Sequence, residues 1–403
     1  MFPKLRFKEF DENWKEVTLK NCITSIDSGW SPQCESYPAN SSEWGVLKTT
    51  SVDWSGFNSS FNKKLPLELT PRKEIEVKPL DILVTRAGPT ERVGVVSVVP
   101  HSVRSKLMIS DKLIRLKSNE ENNPLFLGIS LSSVKCQNQL QSKTSGLAKS
   151  QTNISQKILG EVLLKLPSKE EQTKIATFLS AVDEKISQLT QKHQLLREYK
   201  QGMMQKLFSQ QVRFKADDGS EFGEWDENEL RDVAEINPKA KKLPENFIYI
   251  DLESVEKGQL LLQKNIGLQD APSRAQRLLA KGDVLFQMVR PYQQNNYYFN
   301  LSGEYVASTG YAQIRTKLDS KFIYYALHEK TFLDEVMNRC TGTSYPAINS
   351  SDLSSIEILI PCLEEQTKIA NFLSSIDQKI EVVAQQIEQA KTWKKGLLQQ
   401  MFI

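Results

Sequence analysis

"EEQTKIATFLSAVDEKI" occupies residues 170–186, and a near copy, "EEQTKIANFLSSIDQKI", occupies residues 364–380. The 194-residue offset holds without a gap from Pro167 and Pro361 to Phe208 and Phe402: Phe178 matches Phe372, Asp183 matches Asp377 and Gly202 matches Gly396. Within each copy, alternating steps of four and three residues land mostly on apolar side chains. The first series is Ile175, Leu179, Val182, Ile186, Leu189, His193, Leu196, Lys200, Met203 and Leu207. The second is Ile369, Leu373, Ile376, Ile380, Val383, Ile387, Ala390, Lys394, Leu397 and Met401. A sustained 3.5-residue period is the signature of helices that pack along their length. Equal length and matching seams point to the two helices pairing with each other. At ~1.5 Å per residue, each makes a rod of roughly 58 Å. Pro167 and Pro361 end the strands before them. The glutamates of the first turn suit the positive end of the helix dipole.

A weaker repeat opens each half: "LRFKEFDENWKEVTL" (5–19) resembles "VRFKADDGSEFGEWDENEL" (212–230). Arg6, Phe7, Trp14 and Leu19 match Arg213, Phe214, Trp225 and Leu230 around a four-residue insertion. In one half this segment follows a long helix, and in the other it starts the chain. The order is therefore cyclic, which places residues 1–20 near the C-terminus.

Between these frames lie two dissimilar segments of mixed strand and helix, 20–166 and 231–360. "DILVTRAG", "VGVVSVV" and "DVLFQMV" read as short strands bounded by Gly, Pro and Asp. Faint matches survive: "KPLDILVTR" with "AKGDVLFQM", "LIRLK" with "AQIRTK", and Gly146 with Gly342. The scaffold repeats and the surface does not.

The bulk numbers bound the function loosely. A chain of 403 residues predicts two or three domains with ample core. The net charge of +3 is mild, and patches matter more than totals. Five cysteines without C-x-x-C spacing read as thiols in a reducing cytosol. Neither a signal peptide nor a long apolar span is expected, so the location expected is the cytoplasm. The three histidines sit in no nucleophile or metal pattern, and no G-x-x-x-x-G-K-[ST] loop occurs. Glu76 and Lys78, with Asp53 upstream, imitate a nuclease magnesium site, and form the rival to a binding function. A coiled-coil scaffold without DNA contact is a third option.

Polar loops recur in both variable segments. "TRAGPTERVG" supplies Arg86, Thr90 and Arg92; residues 101–117 supply Arg104 and Lys106; residues 141–157 supply Lys143, Ser145, Gly146, Lys149, Ser150 and Gln151 and hold no acid. The second segment offers Arg290, Tyr292, Gln293 and Asn295, then Arg339, Thr341, Thr343, Ser344 and Tyr345. Arg and Lys neutralise phosphates and grip guanine edges, amides match adenine, and hydroxyls fix register on the backbone. These are the expected DNA contacts.

The doubled helix, the preceding "LLKLP" and "ILIP", the closing "K-x-G-[ML]-[ML]-Q-x-[ML]-F" and the two "RF…W…L" starts resemble the DNA-specificity subunits of type I restriction–modification systems. The resemblance spans essentially the whole chain. It implies an α/β (α+β) architecture: two target recognition domains of mixed strands and helices, separated by two long conserved helices that form an antiparallel coiled coil, in a pseudo-twofold cyclic arrangement. The first recognition domain is expected at 1–166, the central spacer helix at 167–211, the second recognition domain at 212–360 and the C-terminal spacer helix at 361–403. The resemblance also implies that each domain reads one half of a bipartite double-stranded DNA target. The helices then set the spacing and dock two methyltransferase subunits, and restriction/motor subunits join the full complex. On that basis the chain is non-catalytic and has no cofactor or metal of its own. S-adenosylmethionine, ATP and Mg belong to the partner subunits, and no membrane is involved.

Overall fold

A computed structural model describes residues 3–148, 151–240 and 242–402. The chain forms two compact units, one of residues 1–189 and 386–403 and one of residues 190–385. Each unit contains part of both long helices, Lys169–Phe208 and Leu363–Met401.

The first unit is built on a four-stranded antiparallel sheet in the spatial order Ile23–Ser28, Leu113–Ser118, Ile82–Thr85, Val96–Val98. Strand side chains alternate between faces. Ile82, Val84, Ile114 and Leu116 therefore enter a core with the helices Pro124–Leu131 and Val134–Gln141, through Phe126, Leu127, Leu131 and Leu140. Leu83 and Leu113 face the opposite way, into a core with Val46, Leu47, Leu107 and Met108. Burial on both faces is why Ile82, Leu83 and Val84 are apolar in succession instead of alternating with polar residues. Asn123 caps the first helix by accepting from the Leu125 and Phe126 amides, with Pro124 in the first turn.

The second unit repeats the plan with different side chains. Its sheet runs Ala234–Ile236, Tyr311–Thr316, Val284–Gln287, Tyr297–Tyr298. Val284 and Phe286 pack toward the helices Ser320–Ala326 and Lys330–Asn338, and Leu285 packs away from them. Asp319 is the cap here, accepting from the Lys321 and Phe322 amides. The outer sheet differs: four strands ordered Lys264–Gly267, Asn246–Ile250, Tyr305–Ser308, Ala275–Leu278.

The long helices pair within each unit. In the first, Ile175, Leu179 and Val182 share a core with Leu397 and Met401, so the start of one helix lies along the end of the other. In the second, Leu207 and Met203 meet Ile369, Leu373, Ile376 and Ile380. The pairing is antiparallel. Ile186 is half-buried, and Leu189, Val383 and Ile387 are buried, while Leu196 is only partly covered. The two lysines on the seam are held by carboxylates: Lys394 Nζ lies 2.5 Å from Asp183 and Lys200 Nζ lies 2.6 Å from Asp377. These repeat-related ion pairs fix register, as polar seam positions do in coiled coils.

The doubled "EEQ" has a further structural role. Glu171 and Glu365 do more than face the helix dipole. Glu171 is buried, accepts two bonds of 2.7 Å from Arg6, and lies 3.4 Å from the Trp14 indole nitrogen. Glu365 does the same with Arg213, at 3.1 and 2.7 Å, and with Trp225 at 3.1 Å. The next residue is an anchor too. Gln172 accepts from the Asn123 amide and donates to the Pro167 carbonyl; Gln366 accepts from the Asp319 amide and donates to the Pro361 carbonyl. Hydrogen bonding to Glu171 and Glu365 pushes Arg6 and Arg213 above the ordinary guanidinium range. The chain closes on itself in the first unit: the Leu5 amide donates to the Gln400 carbonyl at 3.0 Å, and the Phe402 ring packs against Trp14 and Phe126. Phe208 occupies the matching place against Trp225 and Phe322.

Candidate nucleic-acid interface

In each unit a central strand leaves the main sheet and its continuation pairs with the loop that precedes the last strand. In the first unit, Ala87 and Gly88 pair with Asn153 and Thr152 of a hairpin formed by Ser145–Ala148 and Gln151–Asn153. In the second, Val289 bridges Ala347, and Thr341 and Ala347 exchange backbone bonds of 2.9 and 3.0 Å. Each unit thus brings two of its polar loops together, 86–92 with 145–153 and 290–294 with 341–347; the 101–117 stretch of the first unit is not in this pairing, and its Arg104 and Lys106 bond residues 39–43 instead.

The side chains in these loops divide by partner. Arg86 is half-buried, with its amide on Lys112 and its carbonyl receiving the Ile154 amide. The Thr90 and Thr152 hydroxyls are 2.7 Å apart. Arg92 faces its own protein: it bonds Asp53 at 2.5 Å and the Val52 and Thr49 carbonyls at 2.7 and 3.3 Å. Arg104 bonds the Glu43 and Ala39 carbonyls, and burial pulls its pKa down. Lys106 Nζ is on the Ser42 carbonyl. Exposed Lys143 lies 4.0 Å from Glu161. The backbone of Ser145, Gly146 and Gln151 is in the hairpin. Lys149 and Ser150 lie outside the described residues.

In the second unit the Arg290 guanidinium sits 4.2 Å over the Tyr345 ring. Tyr292, Thr343, Ser344 and Tyr345 are exposed, as is Thr341 beside its backbone pair. Gln293 accepts from Gln287, and Asn295 accepts from the Lys257 amide. Arg339 is tied to the Asp352 carbonyl, Ser355 and Glu335.

The acids of the rival site are spent on the fold. Asp53 accepts from Ser55 and Arg92, which hold it below the usual carboxylate range. Against burial, which works the other way, Lys78 and the Lys106 amide hold Glu76 down as well. No group of three His, Cys, Asp or Glu side chains able to hold a metal occurs among the described residues. Nor is any helix among them long and apolar enough to cross a membrane.

One element escaped sequence reasoning. The hairpin of Val52–Asp53 and Gly56–Phe57 carries half-exposed Trp54 at its tip, and Arg92 fastens it to the 86–92 loop. The signal was present in "DWSG", where Asp53 turns the chain by accepting from the Ser55 amide.

The two units are thus copies of one scaffold, each with its own polar loops. The family described as "Type I restriction modification DNA specificity domain" matches residues 12–197 and again 223–392. The chain is 40% identical over 169 residues to the Type I restriction enzyme EcoEI specificity subunit of Escherichia coli, a match covering 41% of this chain and 28% of that one. It is 27% identical over 345 residues to the MjaVIII specificity subunit of Methanocaldococcus jannaschii, covering 81% of this chain and 79% of that one. The crystal structure of the type I restriction–modification S subunit from M. genitalium superposes with a TM-score of 0.62 at 17% identity, covering 100% of this chain and 99% of that one. A second structure, from work on complex assembly of the type I restriction–modification system, gives 0.55 at 18% identity, over 97% of each chain. The chain belongs to the type I restriction–modification DNA specificity family, and carries its domain twice.

Proposed function

We propose that the chain is the sequence-reading, non-catalytic subunit of a cytoplasmic DNA methyltransferase and restriction complex. Residues 1–166 form the first target recognition domain and 212–360 the second, and each reads one half of a split, asymmetric duplex target. The helices of 167–211 and 361–403 set the spacing between halves and dock two methyltransferase subunits; restriction subunits complete the assembly. S-adenosylmethionine, ATP and magnesium are held by those partners, none by this chain.

The observation that carries this is the contrast between faithful and unfaithful copying. Seam, anchors and caps recur at matched positions (Glu171 and Glu365, Asp183 and Asp377, Asn123 and Asp319), whereas the loops at 86–92 and 290–294 share little. Identical anchors serve a common partner twice, and different loops serve two different sequences. Polar loops with Arg, Lys, amides and hydroxyls suit duplex DNA.

Domain exchange tests it. With residues 20–166 replaced by those of a relative, methylated motifs mapped in cells expressing the whole system should change in one half and keep the other. Loss of both halves, or change in both, refutes separate readout. Removing one heptad from both helices should change the tolerated spacer; an unaltered spacer refutes the ruler.

A further inference from the structure

We infer that Arg290 is a specificity-determining residue that reads the major-groove edge of a guanine in the half-site of the second recognition domain, with Tyr345 as its orienting platform. The inference rests on the DNA-specificity function proposed above.

The backbone at Arg290 argues first. Its φ and ψ are 56° and 54°, a left-handed conformation that disfavours a side chain. Pro291 follows, which disfavours it further. The counterpart in the first unit is Gly88, also before a proline and also at positive φ, 151°. Glycine is the residue such a place takes at least cost. Arginine at the strained position marks a side chain retained for a task.

The surroundings hold that side chain in one pose. The Arg290 amide donates to the Pro346 carbonyl at 2.7 Å, and its carbonyl accepts from the Gln293 amide at 3.0 Å. The platform is preformed: the Thr341–Ala347 backbone pair closes the loop, with Gly342 at φ 88° inside it. A Cβ on Gly342 would lie 3.1 Å from the Tyr345 carbonyl oxygen, a tight contact at a φ that already favours glycine, so a side chain there would press the loop out of place. The guanidinium rests on the Tyr345 ring, which is 63% exposed.

The guanidinium has no hydrogen-bond or ion-pair partner among the described residues. Its Nε is buried without a hydrogen bond, and no carboxylate among the described residues pairs with Arg290. Arg213, Arg231, Arg315 and Arg339 of this unit are paired with acids, whereas Arg277, like Arg290, has a buried Nε without a hydrogen bond; what sets Arg290 apart is its seat on the exposed Tyr345 ring between the two polar loops. A planar fork with one face stacked and its terminal amino groups unspent matches the paired N7 and O6 acceptors of guanine.

The test uses Arg290→Gly in the intact complex with its methyltransferase subunits. Glycine suits the backbone, so the substitution removes the side chain and relieves strain; the thermal transition of the variant should be no lower than that of the wild type. In methylation maps, one G·C position in one half of the motif should become degenerate, with discrimination falling roughly ten- to hundred-fold. That half should be the one altered by exchanging residues 212–360. Arg290→Lys, which keeps charge and loses the fork, should lose discrimination but keep the salt dependence of binding. An unchanged motif, a wild-type half-site without a G·C pair, or equal weakening at all sequences with a salt slope smaller by about one, the mark of a phosphate contact, overturns the inference. Should Arg290→Gly fail to fold, Arg290→Lys decides. If the wild-type complex itself yields no bipartite motif, the failure lies with the specificity function, not with Arg290.

Discussion

Arg6→Ala tests whether the duplicated ion pair closes the first unit. The Glu171 side chain is 1% exposed and that of Arg6 10%, so the pair is shielded from water. Without Arg6, the carboxylate keeps the Trp14 indole at 3.4 Å as its side-chain donor among the described residues. Removing one member of a buried pair costs about 3–5 kcal/mol, because the survivor stays desolvated. For a unit of this size each kcal/mol lowers the melting temperature by roughly 2–4 °C, so the expected loss is roughly 6–20 °C. Five of the six tryptophans (Trp14, Trp30, Trp44, Trp54 and Trp393) lie in this unit, so tryptophan emission during heating follows it. The control is Lys174→Ala, which breaks the neighbouring Lys174–Glu9 pair whose members are 47% and 48% exposed. Exposed pairs contribute at most about 1 kcal/mol. Arg6→Met with Glu171→Leu removes both charges and should recover most of the loss. Equal melting of Arg6→Ala and Lys174→Ala, or a double variant no better than the single one, would rule out a stabilising role for the buried pair.

Three further outcomes follow from the second unit. Leu373 is fully buried on the helix seam, and Leu373→Ala should cost about 2–5 kcal/mol in urea unfolding, while the more than half-exposed Leu195→Ala should stay within about 0.5 kcal/mol. Burial pushes the His328 imidazole down to about 4, with Nδ1 facing the Tyr324 carbonyl and Nε2 facing the Asn296 amide nitrogen. Between pH 6.5 and 4 the unfolded chain binds the extra proton, so stability falls as pH falls through that window, by up to about 3 kcal/mol; His328→Gln should flatten the dependence of unfolding free energy on pH. Gly342→Ala, with its Cβ 3.1 Å from the Tyr345 carbonyl and φ at 88°, should distort the 341–347 loop and shift the methylated motif in one half only, with little change in melting temperature.

What could be read in the sequence was what repeats or alternates locally. The seam, the prolines before each helix and the two-faced run at 82–85 depend on neighbours within one element, and period alone reveals them. The loops resisted because their partners are remote. Arg92 meets Asp53 39 positions away and Arg104 meets Ala39 65 positions away, so nothing local separates an arginine that binds its own backbone from one open to DNA. The sequence match between the halves is also offset by two from the strand ladder. "LIRLK" against "AQIRTK" aligns Arg115 with Arg315, but Ile82 pairs with Leu116 and Val284 with Ile314, so the ladder aligns Arg115 with Gln313. A slip of two keeps the strand face. Gln313 and Arg315 accordingly both reach Asp283, as Arg115 reaches Asp81.

The same topology explains how loops can diverge while helices do not. The first variable segment begins and ends on one antiparallel ladder, Lys15–Thr18 with Leu163–Leu166, and the Leu19 amide donates to the Val162 carbonyl at 2.9 Å. The second does so on Asp226–Glu229 with Glu357–Ile360, with the Leu230 amide on the Ile356 carbonyl at 3.0 Å. Entry and exit are thus fixed beside each other by backbone bonds, which no side-chain change removes. Just outside each ladder stands the Arg–Glu–Trp anchor at the head of a long helix. What lies between the paired strands still packs on the helices through a few positions, Asn123 on Gln172 and Phe126 on Phe402 in the first unit, Asp319 on Gln366 and Tyr325 on Asp377 in the second, so an exchanged segment must keep these contacts while its loops vary. A junction placed at residue 20 and residue 166 falls at this boundary, whereas one placed inside 82–118 cuts the main sheet. Exchange at the first pair should give stable hybrids with altered targets, and exchange at the second should give insoluble chains.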